Sequence, residues 1–196
     1  GFTYIGKEKD ILWLVIMVAA YSLVGFGSLT LVPVFAKDIL LIGVEGFGQL
    51  LTWQGVGALI GGLLLILFGD ALHKGKLILI SRALLGPGII GLALSRTPWL
   101  SMIIMALLGY TFLTQLVITN TLIQTIVPDD LRGRILSTYT WALGGFYPLG
   151  SLIMGSLGDK IGAPNAALIS GIACILALIL NIISQQVVRR FREVYE

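Results

Sequence analysis

The sequence predicts an all-α, polytopic membrane protein with six transmembrane helices, and three observations lead to this prediction. The 196 residues are 57% hydrophobic and only 12% charged, whereas soluble domains average about 25% charged residues. The apolar residues fall in six long runs, and about 20 apolar residues in a helix span the ~30 Å hydrocarbon core of a bilayer. Each run is also longer than the strand of a membrane barrel, which needs about 9–11 residues.

The six predicted spans are joined by short connections, so consecutive helices are expected to be antiparallel neighbours. They cover residues 11–35, 47–68, 77–94, 99–127, 135–157 and 166–188. Lys and Arg are enriched in cytoplasmic loops of membrane proteins, and ten of the thirteen fall on one predicted side. These ten are Lys7, Lys9, Lys74, Lys76, Arg82, Arg132, Arg134, Arg189, Arg190 and Arg192, against Lys37, Arg96 and Lys160. Both termini, including the tail 189–196, are therefore predicted to be cytoplasmic.

A charged hairpin, residues 127–134, separates the fourth span from the fifth. It carries four charges in eight residues, between flanks without formal charge. Pro128 should end the preceding helix because it cannot continue the hydrogen-bond ladder, and Asp129 or Asp130 can cap the next helix. Arg132 and Arg134 should hold that helix start at the membrane surface. The residues alone leave two interpretations open, a solvated surface hairpin or a working latch.

The composition of the spans argues against an enzyme. No Asp or Glu stands in the middle of any span. The single cysteine, Cys174, excludes an intrachain disulfide and a cysteine-based metal site. No nucleophile constellation, metal-binding cluster or phosphate-binding loop is apparent. We therefore expect no catalytic residue, no bound metal and no cofactor.

Small residues on the second and fifth spans predict close helix packing, because glycine lets helix backbones approach within a membrane. The second span carries Gly57, Gly61 and Gly62, and the fifth carries Gly144, Gly145, Gly150 and Gly155. Static packing is the simpler interpretation. The alternative is that these smooth faces also slide against a partner.

Polar residues on the fourth span are the candidate lining of a substrate cavity. Thr111, Thr114, Gln115 and Thr121 fall on one face at helical spacing. Tyr21 on the first span, with Trp141 and Tyr147 on the fifth, adds amphipathic surface suited to a partly polar, greasy solute. Hydrogen bonding between helices is the competing explanation for the threonines and the glutamine, since polar groups in hydrocarbon need partners.

A short repeat links the two halves of the chain. Phe68-Gly69-Asp70 follows the second span, and Leu157-Gly158-Asp159 follows the fifth, three helices later. A three-helix repeat with inverted topology is typical of secondary transporters. Gly-Asp is also a common helix stop, which is the alternative explanation.

Four segments together carry a family resemblance. They are residues 120–124, the hairpin 127–134, residues 148–151 (Pro-Leu-Gly-Ser) and residues 155–162 (Gly-Ser-Leu-Gly-Asp-Lys-Ile-Gly). With them, nearly the whole chain resembles the C-terminal half of a major facilitator superfamily transporter. More narrowly, it is similar to the branch of transmembrane secretion effectors that contains the enterobactin exporter and macrolide efflux proteins.

The resemblance implies that the six spans are the seventh to twelfth helices of a twelve-helix carrier. Residues 1–10 would end the cytoplasmic link from an N-terminal half, which would make this chain part of a longer polypeptide. The family signature after the second helix of a half is matched by Asp70, Lys74 and Lys76, although Ile66 stands where the signature has glycine. The implied gating or latch residues are these three with Pro128, Asp129, Arg132, Gly133, Arg134 and Asp159.

By the same resemblance, the chain is expected to be half of a secondary active exporter of small amphipathic molecules, of the drug or siderophore class. It would work by alternating access in the plasma (inner) membrane. The expected partners are the N-terminal six-helix half, the lipid bilayer and the solute, with protons as the candidate coupling ion and no nucleic acid. The alternative function is a non-transporting membrane scaffold or partner subunit.

Overall fold

The six predicted helices are present. The structure, a computed structural model, describes residues 9–68 and 74–183. These residues form helical passes without any β-strand, which confirms the all-α prediction. The passes are α1 (Lys9–Val24, continued by Phe26–Leu31, Val32–Val34 and Phe35–Ile39), α2 (Gly43–Phe68), α3 (Lys74–Leu94), α4 (Pro98–Ile126), α5 (Asp129–Ile161) and α6 (Ala163–Ile183).

Two helices continue past the predicted C-terminal ends of their spans. The first was expected to end at residue 35, but its last turn, Phe35–Ile39, is a π-helix that carries it past Lys37. The fifth was expected to stop at the Gly158-Asp159 pair. Instead it continues to Ile161 and ends where Gly162 takes a positive φ of 84°, a conformation that glycine adopts without steric cost.

Five of the six passes are long and apolar enough to cross a membrane, and they lie on α1, α2, α3, α4 and α6. Helix α5 is the exception within the described chain, although it is 33 residues long. Its sequence is rich in Gly, Ser, Thr and Tyr and starts with a charged turn. A helix of that composition is poorly suited to face lipid over its whole exposed surface.

Helix α2 packs most extensively on α4, and two glycines set that crossing. A Cβ added to Gly57 would lie 1.7 Å from the carbonyl oxygen of Ala106. A Cβ added to Gly109 would lie 1.9 Å from the carbonyl oxygen of Gln54. Each helix therefore lies directly against the backbone of the other.

Glycines also lie at two other extensive helix contacts. Helix α1 meets α5 where Gly27 lies against Gly150, and α3 meets α6 where Gly86 lies against Gly171. If α1, α2 and α3 are exchanged with α4, α5 and α6, respectively, the α1–α5 contact corresponds to the α4–α2 contact. The α3–α6 contact then corresponds to itself. These two correspondences agree with two inverted three-helix repeats, whereas the α3–α4 contact, which is as extensive as α3–α6, has a smaller counterpart between α6 and α1.

Candidate functional site

A groove lies halfway along the helices, between α1, α2 and α4, with a volume of about 370 Å³. Its lining residues are Phe26, Leu51, Gln54, Gly55, Ala58, Gly109, Phe112, Leu113 and Leu116. Gln54 is the only one of these with a polar side chain. The groove is therefore apolar with a single amide, a combination that suits binding of small organic molecules.

Aromatic rings and small residues shape this groove. Phe26 stacks on Phe112, with ring centroids 4.3 Å apart and an interplanar angle of 29°. Space beside the rings comes from Gly55 and Ala58 of α2. A Cβ added to Gly55 would meet no atom within 4 Å among the described residues, so the groove wall has room for a larger side chain at this position.

The predicted polar face of α4 does not line this groove. Thr111, Thr114 and Gln115 are buried inside the bundle. The hydroxyl of Thr111 donates a hydrogen bond to the carbonyl oxygen of Leu108 at 2.8 Å, while Thr114 Oγ1 and Gln115 Oε1 have no hydrogen-bond partner among the described residues. Thr121 is half-buried, and its hydroxyl donates to Val117 of its own helix at 2.9 Å.

The aromatic candidates are divided between the interior and the surface. Tyr21 is 1% exposed and lies inside the bundle. Trp141 is 64% and Tyr147 41% exposed, both on α5. Helix α5 is also the least apolar of the described helices, so its exposed face is less suited to lipid than those of the other helices. The role of these aromatic side chains in a cavity stays a prediction.

The glycines of α5 differ in their surroundings. Only Gly150, of the four predicted packing glycines, lies against another helix, where a Cβ would be 2.0 Å from the Leu23 carbonyl oxygen. An added Cβ at Gly144 or Gly155 would meet nothing within 4 Å, and one at Gly145 would meet only Trp141 of the same helix. These three therefore make no close packing within the described chain.

On α2, the predicted Gly61 and Gly62 face α4, as Gly57 does. A Cβ at Gly61 would lie 3.1 Å from Thr114 Oγ1, and one at Gly62 would lie 3.3 Å from Leu113 Cδ2. Both distances are longer than the one at Gly57, and the nearest atoms belong to side chains rather than to the backbone. The α2–α4 contact is thus tightest at Gly57 and relaxes along the helix.

The charged hairpin turns as expected but is capped differently. Helix α4 ends at Ile126, and α5 begins at Asp129 with Pro128 before it and no side-chain cap. The expected cap by Asp129 is therefore not formed, and the side chain of Asp130, the other expected cap, lies outside the described residues. The carboxylate of Asp129 instead accepts from Arg132 Nη2 at 2.5 Å, one turn ahead. Both side chains are exposed to solvent, so this ion pair contributes little to stability.

The second half of the hairpin is open. A Cβ at Gly133 would meet no atom within 4 Å, and Arg134 is exposed. The first turn of α5 therefore presents backbone N–H groups beside an unobstructed glycine, an arrangement that favours an anion.

The remaining latch candidates that the structure describes lie at helix ends. Asp70 lies outside the described residues, and Lys74 is the first residue of α3. Lys76 is exposed near that helix start, and Asp159 is exposed in the last turn of α5. Among the described latch candidates there is one ion pair, between Asp129 and Arg132, and it lies within one turn of a single helix.

Comparison with known proteins gave one decisive match. The family model described as transmembrane secretion effector matches residues 1–193. The chain belongs to this family of the major facilitator superfamily. No curated protein and no solved structure matches it. The chain is accordingly a multi-pass membrane protein of a transport family.

The chain has two features that the residue-by-residue prediction missed. The groove is marked in the sequence only by Gly55, Ala58 and Gly109 near the middle of two apolar helices. Arg82 was counted among the cytoplasmic surface charges, but it is 3% exposed inside the bundle. A lone arginine within an apolar run was the available signal, since buried ionisable residues in membranes are usually functional.

Proposed function

We propose that this chain is one half of a secondary active exporter of small amphipathic molecules of the drug or siderophore class. The groove between α1, α2 and α4 carries the proposal. Secondary transporters hold their solutes near the bilayer midplane, at the interface between repeats, and the groove lies at mid-height on helices from both repeats. Stacked aromatic rings with a single amide suit a solute that is greasy and partly polar.

In this proposal the chain works by alternating access against an N-terminal six-helix half. The exposed face of α5, with Trp141 and Tyr147, would contact that half. Protons are the candidate coupling ion. We assign the proton-carrying group to the N-terminal half, because no Asp or Glu stands in the middle of a span of this chain. Membership of a transport family and the composition of the spans favour a transporter over an enzyme.

The hairpin would latch one end state on the cytoplasmic side. An acidic side chain of the N-terminal half would approach Gly133 and Arg134 at the start of α5, where the helix dipole and unpaired N–H groups favour negative charge. On the same cytoplasmic side, Asp70, beside Lys74 and Lys76, would make the reciprocal contact with the start of the fifth helix of the N-terminal half.

Filling the groove tests the proposed function directly. Gly55→Leu should reduce efflux of amphipathic fluorescent dyes by the full-length transporter at least tenfold, because the new side chain occupies space open in the structure. Gly48→Leu is the matched control, since Gly48 lies on the same helix, is equally unobstructed and does not line the groove. Equal efflux by the two variants, at equal abundance, would exclude the groove as the solute path. No dye efflux by the wild-type protein would favour the scaffold function.

Both termini and the hairpin are proposed to be cytoplasmic in the plasma (inner) membrane. Burial of Arg82 lowers the count of basic residues on that side from ten to nine, against three, so the bias persists. Asp129→Cys and Lys160→Cys place thiols at exposed sites at opposite ends of α5, and the native Cys174 is buried. An impermeant maleimide added to intact cells should label position 160 and not 129. The reverse pattern would invert the topology.

A further inference from the structure

Arg82 lies on α3, about 12 Å along the helix from its first residue, in contact with α1 and α6. Its Nη1 donates a hydrogen bond to Asn181 Oδ1 of α6 at 3.3 Å. Its guanidinium carbon lies 5.4 Å from the ring centroid of Tyr21 on α1, a cation–π contact. The charge is thus held at one position by three helices.

One edge of this guanidinium has no hydrogen-bond partner among the described residues. Arg82 Nε and Nη2 meet no hydrogen-bond partner among the described residues, and neither does the hydroxyl of Tyr21. Nε and Nη2 share one edge of the planar group, which is the fork that binds both oxygens of a carboxylate or phosphate. The atoms without partners are therefore those that bidentate recognition requires.

Within the part of the chain that the structure describes, no acidic side chain compensates this positive charge. No salt bridge to Arg82 occurs among the described residues, where the one ion pair is Asp129–Arg132. The other described acidic side chains, Asp38, Glu45 and Asp159, are exposed at helix ends. Burying a guanidinium without an anion is costly, and packing alone would be served better by an apolar residue.

We propose that Arg82, positioned by Asn181 and Tyr21, forms an intramembrane binding site for an oxyanion, the carboxylate or phosphate group of an amphipathic molecule. The site is separate from the groove, since none of its three residues lines it. The oxyanion has two possible sources, a lipid headgroup and a free solute. Either would enter between α1, α3 and α6 and place its two oxygens on the Nε–Nη2 edge.

The test measures thermal stability of the full-length protein by tryptophan fluorescence, with octanoate and octyl phosphate as probes and octanol as the uncharged control. Both anions should raise Tm in a saturable manner, and octanol should not. Arg82→Gln should raise the half-saturating concentration at least ~10-fold, as expected for loss of charged hydrogen bonds. Tyr21→Phe, which keeps the ring, should weaken binding by less. Arg96→Gln is the matched control, because Arg96 is exposed and its Nη1 already donates to the carbonyl oxygens of Ala93 and Ser95.

Nanodiscs distinguish the sources of the oxyanion. If phosphatidylglycerol, compared with phosphatidylcholine, abolishes the octanoate effect in the wild type, the site takes a lipid phosphate. If octanoate binds equally in both lipids, the site takes a free solute. An equal response to octanol and octanoate, or an unchanged response in Arg82→Gln, would overturn the site. This binding assay does not depend on transport, so it can fail while the proposed export function stands.

Discussion

Replacing Gly57 by valine should force α2 away from α4 and remove most of the folded protein. A Cβ there would lie 1.7 Å from the Ala106 carbonyl oxygen and 2.5 Å from its carbon. These are backbone atoms of a helix, and they cannot rotate aside as a side chain can. Overpacking a core usually costs about 1–3 kcal/mol, and we expect a larger cost here because the helices themselves must separate. Gly109→Val should have the same effect, because Gly109 of α4 lies against the backbone of α2 at Gln54.

The measurement is the monodisperse fraction of full-length protein on size-exclusion chromatography after extraction. Gly48→Val is the matched control, because it makes the same change in the same helix at a position where an added Cβ would meet no described atom within 4 Å. It should leave the fraction near the wild-type value. A Gly57→Val protein that elutes like the control would mean that the two helices are not in backbone contact.

Gly133→Leu and Arg134→Lys should both reduce transport strongly while leaving folding intact. Gly133 has no neighbour within 4 Å in the described chain, so leucine there costs this half nothing and obstructs only a partner that approaches α5. Lysine at 134 keeps the charge but loses the planar fork. A latch worth roughly 1–3 kcal/mol would shift the conformational balance by about 5- to 150-fold.

Dye efflux by the full-length transporter, normalised to its abundance, measures this effect. Gly48→Leu serves as the control, since Gly48 has no neighbour within 4 Å among the described residues and lies on α2, outside the groove and outside the face of α5 proposed to meet the N-terminal half. Normal transport by both hairpin variants would leave the hairpin as a membrane anchor, whose arginines only reach the headgroups.

The sequence predicts the class and the number of helices well because both depend on composition. Long apolar runs leave a chain few choices in a bilayer, and Pro128 ends its helix for a local reason. The helix ends that differ from the predicted spans also have local causes. The sequence of residues 35–39 contains no signal that predicts a π-turn. Gly158 is tolerated within α5, because the chain continues as a helix until Gly162 takes a positive φ.

The site was harder to predict, because helical periodicity shows only which residues share a face of one helix. It does not show which neighbouring helix that face contacts. Thr111, Thr114 and Gln115 do share a face, but that face lies inside the bundle. The groove is bounded instead by Phe112 and Leu116. Likewise Gly57 was identifiable as a packing residue, whereas its contact with Ala106 depends on tertiary structure. Arg82 was assigned to the surface by its position near a basic loop.

Protection of the groove by solute is the most direct test of the central claim, that this half transports an amphipathic molecule through the groove between α1, α2 and α4. Leu51 lines the groove and is 43% exposed, so Leu51→Cys should react readily with a small maleimide in the full-length transporter. Saturating dye should slow that reaction several-fold and leave the rate at Gly48→Cys, three residues earlier and outside the groove, unchanged. Equal rates at Leu51→Cys with and without dye would contradict the account.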